Sequence, residues 1–293
     1  LYGVKERYSM GAQIIDGKAI SSAVRQQIKQ QVMELQQKTG KAPGLAVVLV
    51  GEDPASQIYV RNKEKACQEA GIYSEVYRLS QETSQQQLLD LVHQLNERQE
   101  INGILVQLPL PDHLDEMTVL RDISPDKDVD GFHAVNAGKL LNGEKGFVPC
   151  TPKGIITLIK STNIDIKSKD AVVVGRSNIV GKPVSILLLN EDATVTICHS
   201  KTADLKSHTQ RADILVVATG KPNLITGDMV KPGSVVIDVG TTRVEGKLTG
   251  DVHFASVKEV AGWITPVPGG VGPMTITMLL QNTLEAAVSQ WKL

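Results

Sequence analysis

From Lys18 to Lys38, apolar residues fall at Ile20, Val24, Ile28, Val32 and Leu35 among glutamines and lysines. That spacing traces one stripe of an amphipathic helix, which Gly40 and Pro43 bring to an end. Leu45 to Val50 (LAVVLV) is uniformly apolar, as expected of a strand covered on both faces of a parallel sheet. A helix is predicted from Pro54 to Ala70, with proline in its first turn and Gly71 just past its end. A strand near Tyr73 to Leu79, a helix near Ser84 to Glu97 and a strand from Gly103 to Leu108 continue the alternation. Strand and helix in turn imply right-handed βαβ units and a parallel sheet.

Between Leu108 and Pro152 the pattern breaks into Pro, Asp, Gly and Asn (PLPDHLDEM, SPDKDVDGFH), which reads as a boundary zone of long loops. A second α/β series follows. It has a helix from Pro152 to Ser161, a strand at Ala171 to Val174, a helix at Gly181 to Leu189 and a strand at Ala193 to Cys198. Strands at Asp213 to Ala218 and Ser234 to Val239, then a helix from Met274 to Gln290, complete it. The expected fold is α/β with two domains, in keeping with 293 residues at ~150 per domain.

Composition narrows the function. Lys plus Arg number 31 against 32 Asp plus Glu, and aromatics are 3% of the chain. Neither fits a general nucleic-acid binder, which needs basic surface and stacking rings. The longest unbroken apolar run is far short of the ~20 residues of a membrane span. Cys67, Cys150 and Cys198 are odd in number and show no zinc or C-x-x-C spacing, so they read as buried thiols in a reducing compartment, the cytoplasm. Leu1 to Ser9 lacks periodicity and precedes Met10, which reads as the natural start. Residues 1–9 are then an appended or disordered segment; a transit peptide is the poorer fit, with one Arg and Glu6.

Chemistry concentrates at a few places. In Ala171 to Leu189, Gly175 closes a strand and Gly181 opens a helix, where backbone amides and the helix dipole can meet a phosphate. The spacing is not G-x-G-x-x-G, so an ordinary βα turn remains the alternative to a nucleotide site. Arg176 and Ser177 bring a guanidinium and a hydroxyl to that turn. At the end of the next strand, where NAD sites carry a carboxylate, stand Ser200 and Lys201, which favours the 2′-phosphate of NADP, a solvated loop charge at Lys201 being the alternative. Tyr59 and Lys63 lie at i and i+4 of one helix, either as site residues or as an ordinary exposed pair. Gln107 interrupts an apolar strand, as a site residue or a satisfied buried amide.

Asp126 to Gly131 (DKDVDG) imitates the start of a calcium loop, but its bidentate Glu position is Ala137 and no helix is predicted on its amino side. Asp130 therefore reads as a ligand contact or turn former. Pro266 to Pro273 (PVPGGVGP) is a rigid loop with few side chains, open to close backbone approach. No zinc-protease, nucleophile-elbow or Walker pattern occurs among the six histidines and the glycines, so no metal is expected.

Taken together, Tyr59-x3-Lys63, Gly103 to Leu110, Asp126 to Gly131, Pro149-Cys-Thr-Pro152 and Pro266 to Pro273 resemble one family. It is the bifunctional methylenetetrahydrofolate dehydrogenase/methenyltetrahydrofolate cyclohydrolase family, and the likeness runs from about Gln13 to Ala287. The resemblance implies a folate-binding catalytic domain of residues 10–151 plus 274–293, a Rossmann-like NADP domain of residues 152–273, and a cleft between them. It implies a homodimer built through the NADP domains, with tetrahydrofolate derivatives as substrates, in one-carbon metabolism and purine biosynthesis. Carried over residue by residue, Lys63 is the acid/base, Tyr59 packs on the folate, Gln107 tunes Lys63 and Asp130 anchors the pterin. Val106, Leu108, Pro268, Gly269, Gly270 and Gly272 line the substrate. Gly175, Arg176, Ser177, Ser200 and Thr241 hold NADP. Many members have Gly-Ile-Asn where this chain has Gly240-Thr241-Thr242. The competing readings are another NADP-dependent oxidoreductase with a separate substrate domain, resembling shikimate dehydrogenase, and a non-enzymatic NADP-binding module.

Overall fold

The computed structural model describes residues 11–293, so the expectations for the prefix and for Met10 lie outside the described residues. In chain order the first half comprises β1 (Gln13–Ile14), α1 (Gly17–Thr39), β2 (Gly44–Val50), α2 (Pro54–Ala70), β3 (Tyr73–Leu79), α3 (Gln85–Glu97) and β4 (Gly103–Val106). Then come α4 (Glu116–Asp122), α5 (Ala134–Asn142), α6 (Cys150–Lys160), β5 (Asp170–Val174), α7 (Gly181–Asn190), β6 (Thr194–Cys198) and α8 (Leu205–Thr209). The chain closes with β7 (Ile214–Val217), β8 (Val235–Asp238), β9 (Thr242–Val244), β10 (Lys247–Thr249), α9 (Phe254–Lys258), β11 (Trp263–Ile264) and α10 (Val271–Gln290).

Two parallel sheets result, of order β3-β2-β4 and β1-β11-β8-β7-β5-β6; β9 and β10 form a separate antiparallel hairpin. In the first sheet β2 is central and its successors lie on opposite sides of it. In the second, β6 and β7 likewise flank β5. Such reversals open a crevice at the carboxyl ends of the strands, the place where open α/β sheets bind ligands. The molecule is therefore a two-domain α/β architecture whose second sheet is Rossmann-like, and each sheet carries its own switch point.

Burial follows the pattern of apolar residues. Leu45, Val47 and Leu49 of β2 pack with Ile28 and Val32 of α1 and with Leu279 and Leu280 of α10. The alternate residues Ala46, Val48 and Val50 meet Leu88 and Val92 of α3. The first core continues through Ile155 and Ile159 of α6 to Val173 and Val216 of the second sheet, so α10 and α6 lie between the two sheets as shared filling.

Several features differ from the sequence expectation, and three of them bear on the site. The loop zone contains α4 and α5, each under three turns and capped by Asp115 and His133, too short for periodicity to register. A helix thus does precede the calcium-like segment. β4 ends at Val106, because the chain departs after Gln107 N donates to Val48 O (2.8 Å) and enters a cis Leu108–Pro109 bond. Finally, β1 pairs with β11 on the second sheet before α1 returns to the first. That crossing is tight: a Cβ on Gly17 would sit 1.9 Å from the Gly270 carbonyl oxygen.

Candidate active site

The residues predicted from the first half converge at the carboxyl end of the first sheet. Asp53 caps α2 by accepting from Ser56 N (2.7 Å), which fixes the register of the helix leaving β2. Lys63 falls on the buried face of α2, and Tyr59, one turn earlier, is 43% exposed at its rim. Lys63 Nζ donates to Gln107 Oε1 at 2.9 Å, and Gln107 Nε2 donates to Leu108 O at 2.7 Å. The amide is thereby oriented, with its carbonyl oxygen toward the amine.

Asp130 arrives by an extra strand-like segment. Asp128 bridges Ile104 in parallel, so the chain runs beside β4 and brings Asp130 toward the level of Val106. Burial pushes the Asp130 carboxyl above its ordinary value, against the pull of Lys63. Burial lowers the pKa of Lys63, while the Asp130 charge draws it back up. The resemblance has Gln107 tuning Lys63, and the bond shows in which sense. A carbonyl acceptor favours the ammonium, so the lowering belongs to burial and Gln107 holds the amine in place.

Three residues that support this group went unrecognised. Asp128 is buried; its Oδ1 accepts from Gly131 N and Phe132 N (3.1 Å each), its Oδ2 from His133 N (2.9 Å) and Asn136 Nδ2 (2.8 Å). It organises the turn after Asp130, a use that explains the calcium-like run without a metal. Asn282 Nδ2 donates to Val129 O (2.8 Å) and Val148 O (3.0 Å), and Gln290 Nε2 donates to Asp126 O (2.8 Å). Both lie on α10, and a buried Asn inside an apolar helix was the available signal. Cys150 donates to Val129 O (3.3 Å) beside Asp130, and burial holds its thiol well above the ordinary range. All three cysteines are free and buried.

The Pro/Gly loop forms the other wall. Gly272 and Pro273 share a cavity of about 350 Å³ with Tyr59. They are already the first turn of α10, which begins at Val271 and so three residues before the predicted start; Pro268, Gly269 and Gly270 lead into it. Val267–Pro268 is cis.

A second group sits on the other sheet. Gly175 ends β5 at φ +131°, where a Cβ would lie 2.2 Å from Ala218 O. A Cβ on Gly181 would in turn meet Gly175 O at 2.3 Å. Only glycines leave this cradle open, with the N-terminus of α7 at its floor. Ser177 Oγ accepts from Val180 N (3.2 Å) and Gly181 N (3.3 Å), so its own hydrogen remains for an outside acceptor. Arg176 and Ser200 are exposed at the adjoining ends of β5 and β6. Thr241 is exposed after β8, whereas Thr242 Oγ1 is taken up by Gly220 O (3.2 Å). Below them, buried Asp238 and Asp251 tie the loops together. Asp238 accepts from Gly240 N, Asp251 N and Val252 N, and Asp251 from Thr219 N and Gly220 N. Burial pushes Asp238 up to about 6.

Residues 15–130 match the tetrahydrofolate dehydrogenase/cyclohydrolase catalytic domain, and residues 149–291 match the NAD(P)-binding domain of the same family. The chain is 63% identical over 279 residues to the bifunctional protein FolD of Moorella thermoacetica, covering 95% of this chain and 99% of that one. The Campylobacter jejuni bifunctional FolD crystal structure superposes with a TM-score of 0.93 at 50% identity, covering 95% and 99% of the two chains. The Trypanosoma brucei dehydrogenase-cyclohydrolase, complexed with NADP cofactor and inhibitor, gives a TM-score of 0.93 at 40% identity, with coverage of 97% and 100%.

Proposed function

The chain belongs to the tetrahydrofolate dehydrogenase/cyclohydrolase family, and from that premise we propose that Lys63 is the acid/base of its hydrolytic step. The enzyme is bifunctional: an NADP-dependent methylenetetrahydrofolate dehydrogenase and a methenyltetrahydrofolate cyclohydrolase. It oxidises 5,10-methylenetetrahydrofolate to the 5,10-methenyl cation and hydrolyses that to 10-formyltetrahydrofolate.

NADP, when bound, supplies the hydride acceptor. Gly175, Arg176, Ser177 and Ser200 would hold its phosphates and Thr241 its nicotinamide side; the open glycine cradle and the cations without a carboxylate fit that ligand. Hydride transfer asks no proton of the protein, only that the reacting carbons be held together. Hydrolysis does. Lys63 as the free amine takes a proton from water as its oxygen bonds the methenyl carbon. The ammonium then returns the proton to N5 as the C–N5 bond breaks; the formyl oxygen's proton leaves to solvent. Gln107 keeps Nζ in place, Asp130 anchors the pterin, and Tyr59 packs against the folate. Val106 and Leu108 line one wall, and Pro268, Gly269, Gly270 and Gly272 the other.

The Lys63–Gln107 bond in a desolvated setting carries this reading. Following NADPH absorbance with methylenetetrahydrofolate, and then 10-formyl product, tests it; NADP binding without turnover would overturn it.

We further propose a homodimer of cytoplasmic location, with residues 10–151 plus 274–293 as the folate unit and 152–273 as the NADP unit. The edge strand β6 exposes Ile197, which shares an apolar groove with exposed Ile179. This groove, of about 450 Å³, runs from Ile197 to Leu141, a surface suited to a second copy. Sedimentation as a monomer at micromolar concentration would refute it. Among the described residues, no helix is long and apolar enough to cross a membrane.

A further inference from the structure

Three chain segments at the carboxyl end of the second sheet are drawn to one point by two buried carboxylates. Asp238 ends β8, and its Oδ1 accepts from Gly240 N and Asp251 N at 2.9 Å each. Its Oδ2 accepts from Val252 N at 3.0 Å. Asp251 Oδ2 accepts from Thr219 N, Thr219 Oγ1 (3.0 Å) and Gly220 N (2.9 Å) in the loop after β7. Asp251 Oδ1 is buried with no hydrogen-bond partner among the described residues, and a Cβ on Gly240 would lie 2.3 Å from it. The meeting point is therefore the backbone of Gly240, the residue before Thr241.

Thr265 extends this group toward the Pro/Gly loop. β11 ends at Ile264, and Thr265 N donates to Val236 O at 3.1 Å. Because the strand stops there, Asp238 N meets the Thr265 hydroxyl in place of a backbone carbonyl, at 2.8 Å. The carbons of the same side chain lie against the loop: a Cβ on Gly270 would be 2.7 Å from Thr265 Cβ and 3.4 Å from its Cγ2. Thr265 is wholly buried. One side chain thus bears both on the residue that anchors the Thr241 loop and on the loop assigned to the folate.

We propose that Asp251 and Thr265 are positioning residues for hydride transfer, setting the Thr241 loop, and with it the nicotinamide, against the Pro/Gly loop. The proposal rests on the reading of those two loops as cofactor and folate contacts. Two arguments favour it over plain packing. Burying carboxylates costs free energy, and among the described hydrogen bonds neither Asp238 nor Asp251 accepts from a Lys or Arg side chain. What the two carboxylates gain is a fixed direction for backbone amides of all three segments. The two reactions also ask different things of the protein. Hydride transfer needs carbons of two ligands, held by two separate loops, in contact, and a small misplacement slows it steeply. Hydrolysis needs one ligand beside Lys63, on the other sheet.

Thr265→Val keeps the shape against Gly270 and removes the acceptor of Asp238 N, whereas Thr265→Ser keeps the hydroxyl. Dehydrogenase activity is followed with NADP and methylenetetrahydrofolate, and hydrolysis with methenyltetrahydrofolate in the absence of NADP. Thr265→Val is expected to lower dehydrogenase kcat by about tenfold or more, with both KM values moved much less. Hydrolysis should stay within about twofold of wild type, and Thr265→Ser should retain most of the dehydrogenase kcat. Asp251→Asn weakens the hold on Thr219 and Gly220 and should give the same split at about three- to tenfold; it decides the matter if Thr265→Val fails to fold. Equal loss of both activities, wild-type dehydrogenase kcat in either folded variant, or a Thr265→Ser enzyme as slow as Thr265→Val would overturn the positioning roles alone. A wild type that binds NADP without turning over methylenetetrahydrofolate would overturn the function proposed above, and the positioning roles with it.

Discussion

Lys63 Nζ and Gln107 Oε1 lie 2.9 Å apart although 44 positions separate them in the chain. The contact joins the helix after the central strand to the end of its neighbour, and it fixes where the one buried amine of the site points. Lys63→Met should lower methenyltetrahydrofolate hydrolysis by ~100-fold or more, the usual worth of a positioned acid/base. NADP affinity, measured by fluorescence titration, should stay within a factor of about two. Hydrolysis within a few-fold of wild type would remove Lys63 from the mechanism.

The same contact predicts a pH response. Lys63 acts as base when neutral, and burial holds its pKa below the ordinary lysine value, so hydrolysis should fall as pH drops through that lowered pKa. Gln107→Glu places a carboxylate against the amine, stabilises the ammonium and raises the pKa. The acidic limb of kcat/KM for hydrolysis should then move to higher pH by about one unit or more. A limb that stays put would mean that another group titrates.

Cofactor choice is expected to rest on Arg176. Arg176→Ala should reduce kcat/KM with NADP by about tenfold, in line with loss of one charge-assisted contact, and leave the rate with NAD nearly unchanged. Initial rates with the two cofactors decide it; an equal loss with both would place Arg176 elsewhere on the cofactor.

Gly17→Ala should disturb the substrate wall from a distance. The added Cβ would fall 1.9 Å from the Gly270 carbonyl oxygen, which is backbone and cannot swing aside. A loss of about 1–3 kcal/mol is expected from the urea midpoint, together with a raised folate KM as the Pro/Gly loop shifts. Wild-type stability and KM in this variant would contradict the tight crossing.

Asp128 and Asp238 are both pushed up to about 6, chiefly by burial. Their folded pKa values exceed the ordinary carboxylate value, so their contribution to stability is fully present below about pH 3.8 and is lost as pH rises through 6. Between pH 7 and pH 5 the two should therefore raise unfolding free energy by about 2 kcal/mol. Urea denaturation at the two pH values checks the sign, and Asp238→Asn should remove roughly half of the difference.

Most of this architecture is legible in the pattern of apolar residues along the chain. Strands such as LAVVLV are apolar on both faces because both faces are covered, and α1 carried an unbroken stripe. What escaped were contacts between segments far apart in the chain. Nothing local marks Gln13–Ile14 as a strand, since its partner is β11, and α4 and α5 are too short for a period to show. In the site, Lys63, Gln107 and Asp130 were named, but the direction of the Gln107 amide was not, because only the Leu108 carbonyl determines it. Asp128, Asn282 and Gln290 act on backbone groups of the Asp126–Asp130 segment or the turn after it, and side chains that serve backbone carry no motif.

The position of α10 has a consequence for how the enzyme is made. Of all the described elements, this helix is the last to be synthesised, yet it covers Leu45 and Val47 of the central strand and grips the Asp130 segment through Asn282 and Gln290. Amino-terminal units of many proteins can complete their folding while translation continues. Here the apolar face of the folate half stays uncovered until the twenty residues of α10 have been made, so its site is completed only after the whole NADP half has been synthesised.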